Sequence, residues 1–278
     1  MARIPFRKMH GLGNDFVVLD QRRDPYPIDA VQARALADRH TGIGCDQLLL
    51  IEPPRDRSAQ VFMRIYNPDG SEAQACGNGT RCVARLIAAE TGKHTFMIET
   101  VAGLLEASVD ETGIATVDMG APLLSWHDIP LSNPADTLHV RLRRGPLSDP
   151  VCTNMGNPHA TFFVPDAEAI DLEQLGPLLE HDPIFPERAN IGVATVRDPQ
   201  TIRLRVWERG VGVTRACGSG ACAALVAAHR RDLTGNRATV VLDGGNLEIG
   251  WPDDRHVLMT GPATLAFEGT FDAALLEG

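Results

Sequence analysis

The chain is written twice. Arg64-Ile65-Tyr66-Asn67 leads to Ala75-Cys76-Gly77-Asn78-Gly79, and Arg205-Val206-Trp207-Glu208 leads to Ala216-Cys217-Gly218-Ser219-Gly220. The two cysteines stand 141 positions apart, and the leading segment reaches each of them without a gap. Gly13-Asn14 recurs as Gly156-Asn157, and Gly103-Leu104-Leu105-Glu106 recurs as Gly245-Asn246-Leu247-Glu248. Met119-Gly120-Ala121-Pro122 resembles Met259-Thr260-Gly261-Pro262. Short matches that keep one order and nearly one spacing are the mark of an internal duplication. The repeat predicts two homologous domains, 1–121 and 122–263, with the tail 264–278 completing the first.

Local signals agree with that division. Val61 to Tyr66 and Ile202 to Trp207 read as strands, the second with clean alternation of apolar and polar side chains. Pro68-Asp69-Gly70-Ser71 is turn chemistry. A helix is expected after each cysteine-glycine motif. In the first half Cys82, Val83, Leu86 and Ile87 form an apolar stripe at helical spacing, and Gly92 sits where a C-terminal cap belongs. In the second, Ala221 to Ala228 is apolar all round, which predicts a helix enclosed by sheet. The expected fold class is α+β, with each half a mixed sheet or barrel around a central helix and the active site in the cleft between halves.

The repeated Cys-Gly-x-Gly carries the chemistry. At a helix start the first N–H groups have no intrahelical partner and the macrodipole presents partial positive charge. A thiol placed there is expected to be acidified, and the following glycine amides to form an anion site. If the halves face each other about a pseudo-twofold axis, two thiols flank the α-carbon of a bound carboxylate. That arrangement suits inversion at a stereocentre: one thiolate removes a proton from one face and the other thiol delivers one to the opposite face. Charge developing on the carboxylate would be stabilised by preorganised dipoles.

Other readings are weaker. Cys45, Cys82, Cys152 and Cys222 lack the repeated Cys-Gly-x-Gly setting and read as packing. Cys76 to Cys82 and Cys217 to Cys222 lack the short Cys-x-x-Cys spacing of structural zinc or redox dithiol sites, so no metal is expected. Gly11-Leu12-Gly13-Asn14-Asp15-Phe16 lacks the third glycine of a dinucleotide fingerprint. The only lysines are Lys8 and Lys93, which disfavours a pyridoxal Schiff base; no cofactor is expected. A formal charge of −10 argues against nucleic acid as a partner. The first residues lack the apolar core of a signal peptide, and no apolar run is long enough to span a membrane, so the expected location is cytoplasmic, with no membrane contact.

At these residues, and over nearly its whole length, the chain resembles the diaminopimelate epimerase family. The resemblance rests on Lys8 to Phe16, Gly44 to Leu48, Tyr66 to Ser71, Cys76 to Cys82, Gly156 to His159, Asn190 to Val193, Trp207 to Gly210 and Ala216 to Gly220. It implies interconversion of LL- and meso-diaminopimelate, in the synthesis of lysine and peptidoglycan precursors, with Cys76 and Cys217 as catalytic thiols. It implies that Gly77, Asn78, Gly218 and Ser219 bind the reacting carboxylate. Asn14, Gln47, Asn67, Asn157, Asn190, Glu208 and Arg209 would supply the remaining substrate contacts, and His159 and Glu208 would influence thiol ionisation. Arg209 suits a distal carboxylate on chemical grounds as well, since a guanidinium can bind one bidentately. The family commonly has a tyrosine linked to dimer formation where this chain has Phe267, so a homodimer is expected without that hydroxyl. A proline or hydroxyproline racemase-like enzyme is the nearest rival, and a non-catalytic amino-acid-binding or thiol-redox protein a more distant one.

Overall fold

The duplication is visible in the order in which strands pair. The computed structural model describes residues 3–253 and 256–276, which form two units: Met1–Val117 with Gly261–Gly278, and Asp118–Thr260. In the first, strand Asn14–Asp20 runs parallel to Gln47–Glu52, which is antiparallel to Val61–Tyr66. Val61–Tyr66 then pairs antiparallel with Glu72–Ala73 and parallel with Thr95–Thr100, which turns back into Gly103–Val109. The second unit repeats every step. Pro158–Phe163 runs parallel to Asn190–Asp198, which is antiparallel to Thr201–Glu208. Thr201–Glu208 pairs antiparallel with Gly212–Thr214 and parallel with Arg237–Leu242, which turns back into Gly245–Gly250. The fold is therefore a duplicated α+β architecture of mixed sheets.

Among the described residues, two α-helices belong to the first unit. Helix α1 (Ala30–Ala37) starts on a capping box, in which Asp29 accepts from the Val31 amide and Gln32 reaches back to the Asp29 amide. Helix α2 (Gly77–Thr91) starts at Cys76 and stops at Gly92, whose φ of 67° lies in the left-handed region that ends helices. Its first two turns, Asn78 to Ala84, are buried on every face, and beyond them Ile87 is buried.

Among the described residues, the second unit also has two α-helices. Helix α3 (Leu172–Glu180) is capped by Asp171, which accepts from the Gln174 amide. Helix α4 (Gly218–Arg230) starts at Cys217 and is buried from Gly220 to Ala228, on every face. Its alanines let strands approach closely from all sides, which is why its sequence shows no polar stripe. Cys45, Cys82, Cys152 and Cys222 are all buried. Burial pushes the Cys45 thiol up to about 11 and those of Cys82 and Cys152 to about 12, so these three are inert packing at neutral pH.

One strand of the first unit comes from far along the chain. Thr264–Asp272 pairs antiparallel with Arg3–Gly11, with a bulge between Lys8 and Met9. Phe267 lies on it opposite Lys8, 53% exposed, with its ring edge-on to Phe6 at 6.0 Å. Among the described residues no helix is long and apolar enough to cross a membrane.

Candidate active site

Both repeated cysteines occupy the same stereochemical position. Cys76 (φ −149°, ψ 105°) and Cys217 (φ −111°, ψ 108°) are the extended residues that cap α2 and α4. Each sulfur accepts from the amide three residues on, Gly79 N to Cys76 Sγ and Gly220 N to Cys217 Sγ, both at 3.4 Å. A thiol thus stands where serine or aspartate usually caps a helix, and a thiolate there is favoured by the amide and the dipole. The carbonyls of the two cysteines already accept the first intrahelical bonds, from Thr80 and Ala221.

Around α2 the polar residues form two short chains. Asn14 opens its strand just after the tight turn at Leu12 and Gly13; its Oδ1 accepts from Asn78 Nδ2 and its Nδ2 donates to Asp46 Oδ2, each at 3.1 Å. Gln47 Nε2 donates to Asn67 Oδ1 at 2.9 Å, and Asn67 Nδ2 donates to Ser71 Oγ at 3.0 Å. Asp46 and Gln47 are adjacent, so one segment anchors both chains. Asp46 also accepts from the Asp15 amide and pairs with Arg39. Asp46 is not among the residues that the sequence singles out; its one local signal is a carboxylate directly before Gln47. Gly77 and Asn78 supply the first-turn amides, and the Asn78 side chain is buried.

In the second unit Asn157 follows the turn at Gly156, and its Oδ1 accepts from His159 Nε2 at 2.8 Å. With Nε2 donating, the neutral imidazole keeps its lone pair on Nδ1. Burial, helped by the charge of Arg209, lowers the His159 pKa from 6.5 to about 3, so the ring is uncharged at neutral pH. Asn190, alongside His159 in the parallel pairing, is 2% exposed and bonded on two sides: Nδ2 donates to the Pro158 carbonyl and Oδ1 accepts from the Arg209 amide, both at 2.9 Å. These two bonds tie the Pro158 carbonyl to the Arg209 amide.

Glu208 ends its strand; its Oε1 accepts from Thr214 Oγ1 at 2.5 Å. The Cys217 thiol donates to the Glu208 carboxylate, and Ser219 Oγ lies 3.7 Å from Cys217 Sγ. Burial, reinforced by the Glu208 charge, pushes the Cys217 thiol well above its ordinary value, against the pull of Ser219 and the Gly220 amide. For Cys217 the acidification expected of a helix start is therefore outweighed by desolvation and a neighbouring carboxylate. The Arg209 guanidinium donates to the Glu187 carbonyl at 3.0 Å, and among the described residues it makes no ion pair. Among the described residues no group of three or more His, Cys, Asp or Glu side chains could hold a metal ion.

The family model and the sequence relatives agree with one another. The family described as diaminopimelate epimerase matches residues 6–124 and 151–266. A diaminopimelate epimerase of Rhodospirillum centenum is 60% identical over 273 residues, covering 98% of this chain and 94% of the relative. One of Acidiphilium cryptum is 59% identical over 275 residues, covering 99% of each. Among solved structures, a hydroxyproline epimerase of Agrobacterium vitis with bound trans-4-hydroxy-L-proline superposes with a TM-score of 0.70 at 15% identity, over 98% of this chain and 94% of that one. A phenazine biosynthesis protein of the PhzF family from Enterococcus faecalis gives 0.71 at 13%, over 98% and 100%. At such identities these structures share the fold.

Proposed function

The chain belongs to the diaminopimelate epimerase family and is an amino-acid epimerase, and from that premise we propose that it interconverts LL- and meso-2,6-diaminopimelate through Cys76 and Cys217. The observation that carries the thiol pair is their matched placement, each capping a helix and each accepting the amide of the third residue beyond it. Amides at the first turn of a helix favour a carboxylate, and Gly77, Asn78, Gly218 and Ser219 are the residues that present them. Charge that develops as the α-proton leaves is spread onto that carboxylate, where fixed dipoles lower its energy.

The two thiols then divide the work. One thiolate removes the α-proton and the other thiol delivers a proton to the opposite face; burial and Glu208 push the Cys217 thiol up. After one turnover the protonation states are exchanged, and the reverse reaction uses them in opposite roles. Asn14, Gln47, Asn67, Asn157, Asn190, Glu208 and Arg209 would hold the rest of the substrate, with Arg209 on the distal carboxylate. The reaction needs no cofactor, takes place in the cytoplasm, and serves lysine and peptidoglycan-precursor synthesis. The exposed Phe267 strand would form part of a homodimer contact.

The test is isotope entry with two variants. In deuterated water the product α-position is expected to acquire deuterium, and Cys76→Ala and Cys217→Ala are each expected to lower epimerisation at least about 10²-fold while staying folded. Near-normal turnover in either variant would sink the two-thiol mechanism. Turnover of proline with none of diaminopimelate would overturn the substrate.

A further inference from the structure

The strand Thr201–Glu208 turns into Gly212–Thr214 through Arg209, Gly210 and Val211. Two consecutive amides of this turn are held by buried side chains from different elements. The Arg209 amide donates to Asn190 Oδ1, and the Gly210 amide donates to Glu180 Oε1, both at 2.9 Å. Glu180 is 2% exposed and ends α3. Its other oxygen, Oε2, accepts from the Trp207 indole Nε1 at 2.7 Å, and Arg188 approaches Oε1 at 3.4 Å.

The face of α3 that carries Glu180 is shaped for this purpose. Gly176 lies one turn earlier on the same face, and a Cβ there would come within 2.4 Å of the Trp207 ring. The missing side chain lets the indole seat against the helix, and the carboxylate four residues on receives its N–H. Burying a carboxylate is costly unless it is paired and hydrogen-bonded. Packing alone would be served by an apolar residue. What this carboxylate grips is the Trp207 indole on one side of Glu208 and Arg209 and the Gly210 amide on the other.

We propose that Glu180 is a positioning residue for Arg209: by holding the Gly210 amide and the Trp207 indole against α3, it sets where the guanidinium meets the distal end of the substrate. The proposal rests on reading Arg209 as the contact to that carboxylate. In Glu180→Gln one oxygen becomes an N–H₂ group that faces a buried donor, so the turn loses its fixed seat. In Glu180→Gln/Trp207→Phe that donor is gone, and the remaining oxygen can again hold Gly210.

The experiment measures KM and kcat for diaminopimelate with thermal midpoints for each variant. Glu180→Gln is expected to raise KM about tenfold with kcat within about twofold, the effect of losing roughly 1.4 kcal/mol of one charge-assisted hydrogen bond. Adding Trp207→Phe is expected to return KM to the value of Trp207→Phe alone, a rescue that a merely structural defect would not show. If Glu180→Gln does not fold, Glu180→Gln/Trp207→Phe is compared with Glu180→Leu/Trp207→Phe; a higher KM in the latter supports the proposal, and equal values overturn it. Arg209→Ala separates the two readings. Should Arg209→Ala raise KM while Glu180→Gln leaves it unchanged, Glu180 has no positioning role. An unchanged KM in Arg209→Ala would instead remove Arg209 from the substrate site.

Discussion

His159 is an imidazole that the fold keeps neutral. Its folded pKa of about 3 lies below the ordinary 6.5, because burial and the Arg209 charge both oppose protonation. The unfolded chain takes up a proton as pH falls below 6.5 and the folded chain does not, so the unfolded state gains. The stability this ring contributes is thus fully present above about 6.5 and is lost progressively as pH falls toward 3. The urea midpoint is expected to drop between about pH 7 and about pH 5, and His159→Gln to flatten that slope. An unchanged slope in the variant would contradict the assignment. At this scale the sequence picked out the helix-capping cysteines, because glycine flanks and repetition are local signals. The direction of the Cys217 shift was not legible: it depends on how deeply the sulfur is buried and on Glu208, nine positions upstream and on another element.

The elements divide in the same way. Helices α2 and α4 follow from local pattern, the first from its stripe and its Gly92 stop, the second from an alanine-rich run with no polar face. Helix α3 carries no local functional signal, because the groups that give Glu180 its meaning lie 27 and 30 positions downstream, at Trp207 and Gly210. The close seat of the indole on α3 is itself testable. Gly176→Ala puts a methyl group into the ring, and overpacking of this kind costs about 1–3 kcal/mol. Denaturant unfolding is expected to show that loss together with altered tryptophan fluorescence; wild-type stability would mean that the helix shifts freely beneath Trp207.

For the whole molecule, the repeat foretold a duplicated α+β fold, and the units realise it in matching pairings. Which strands run parallel could not be read, since Asn14–Asp20 beside Gln47–Glu52 and Pro158–Phe163 beside Asn190–Asp198 are crossovers between distant segments. The pairing of Thr264–Asp272 with Arg3–Gly11 is longer in range still. Removing residues 264–276 would strip Arg3–Gly11 of that partner and leave its backbone groups on an open edge. Amide exchange is expected to quicken in Arg3–Gly11 and to stay unchanged in Thr201–Glu208. Equal protection of Arg3–Gly11 in both proteins would show that the strand is held by Asn14–Asp20 alone.

That distant pairing has a consequence for how the chain matures on the ribosome. The unit that starts first cannot acquire its last strand until the continuous unit between has been made, at about 5–20 residues per second. Vectorial synthesis normally lets the leading domain finish first. Here the trailing one can close while the leading one still waits with an unzipped edge. A nascent-chain protease assay would find Asp118–Thr260 resistant before Arg3–Gly11 is protected.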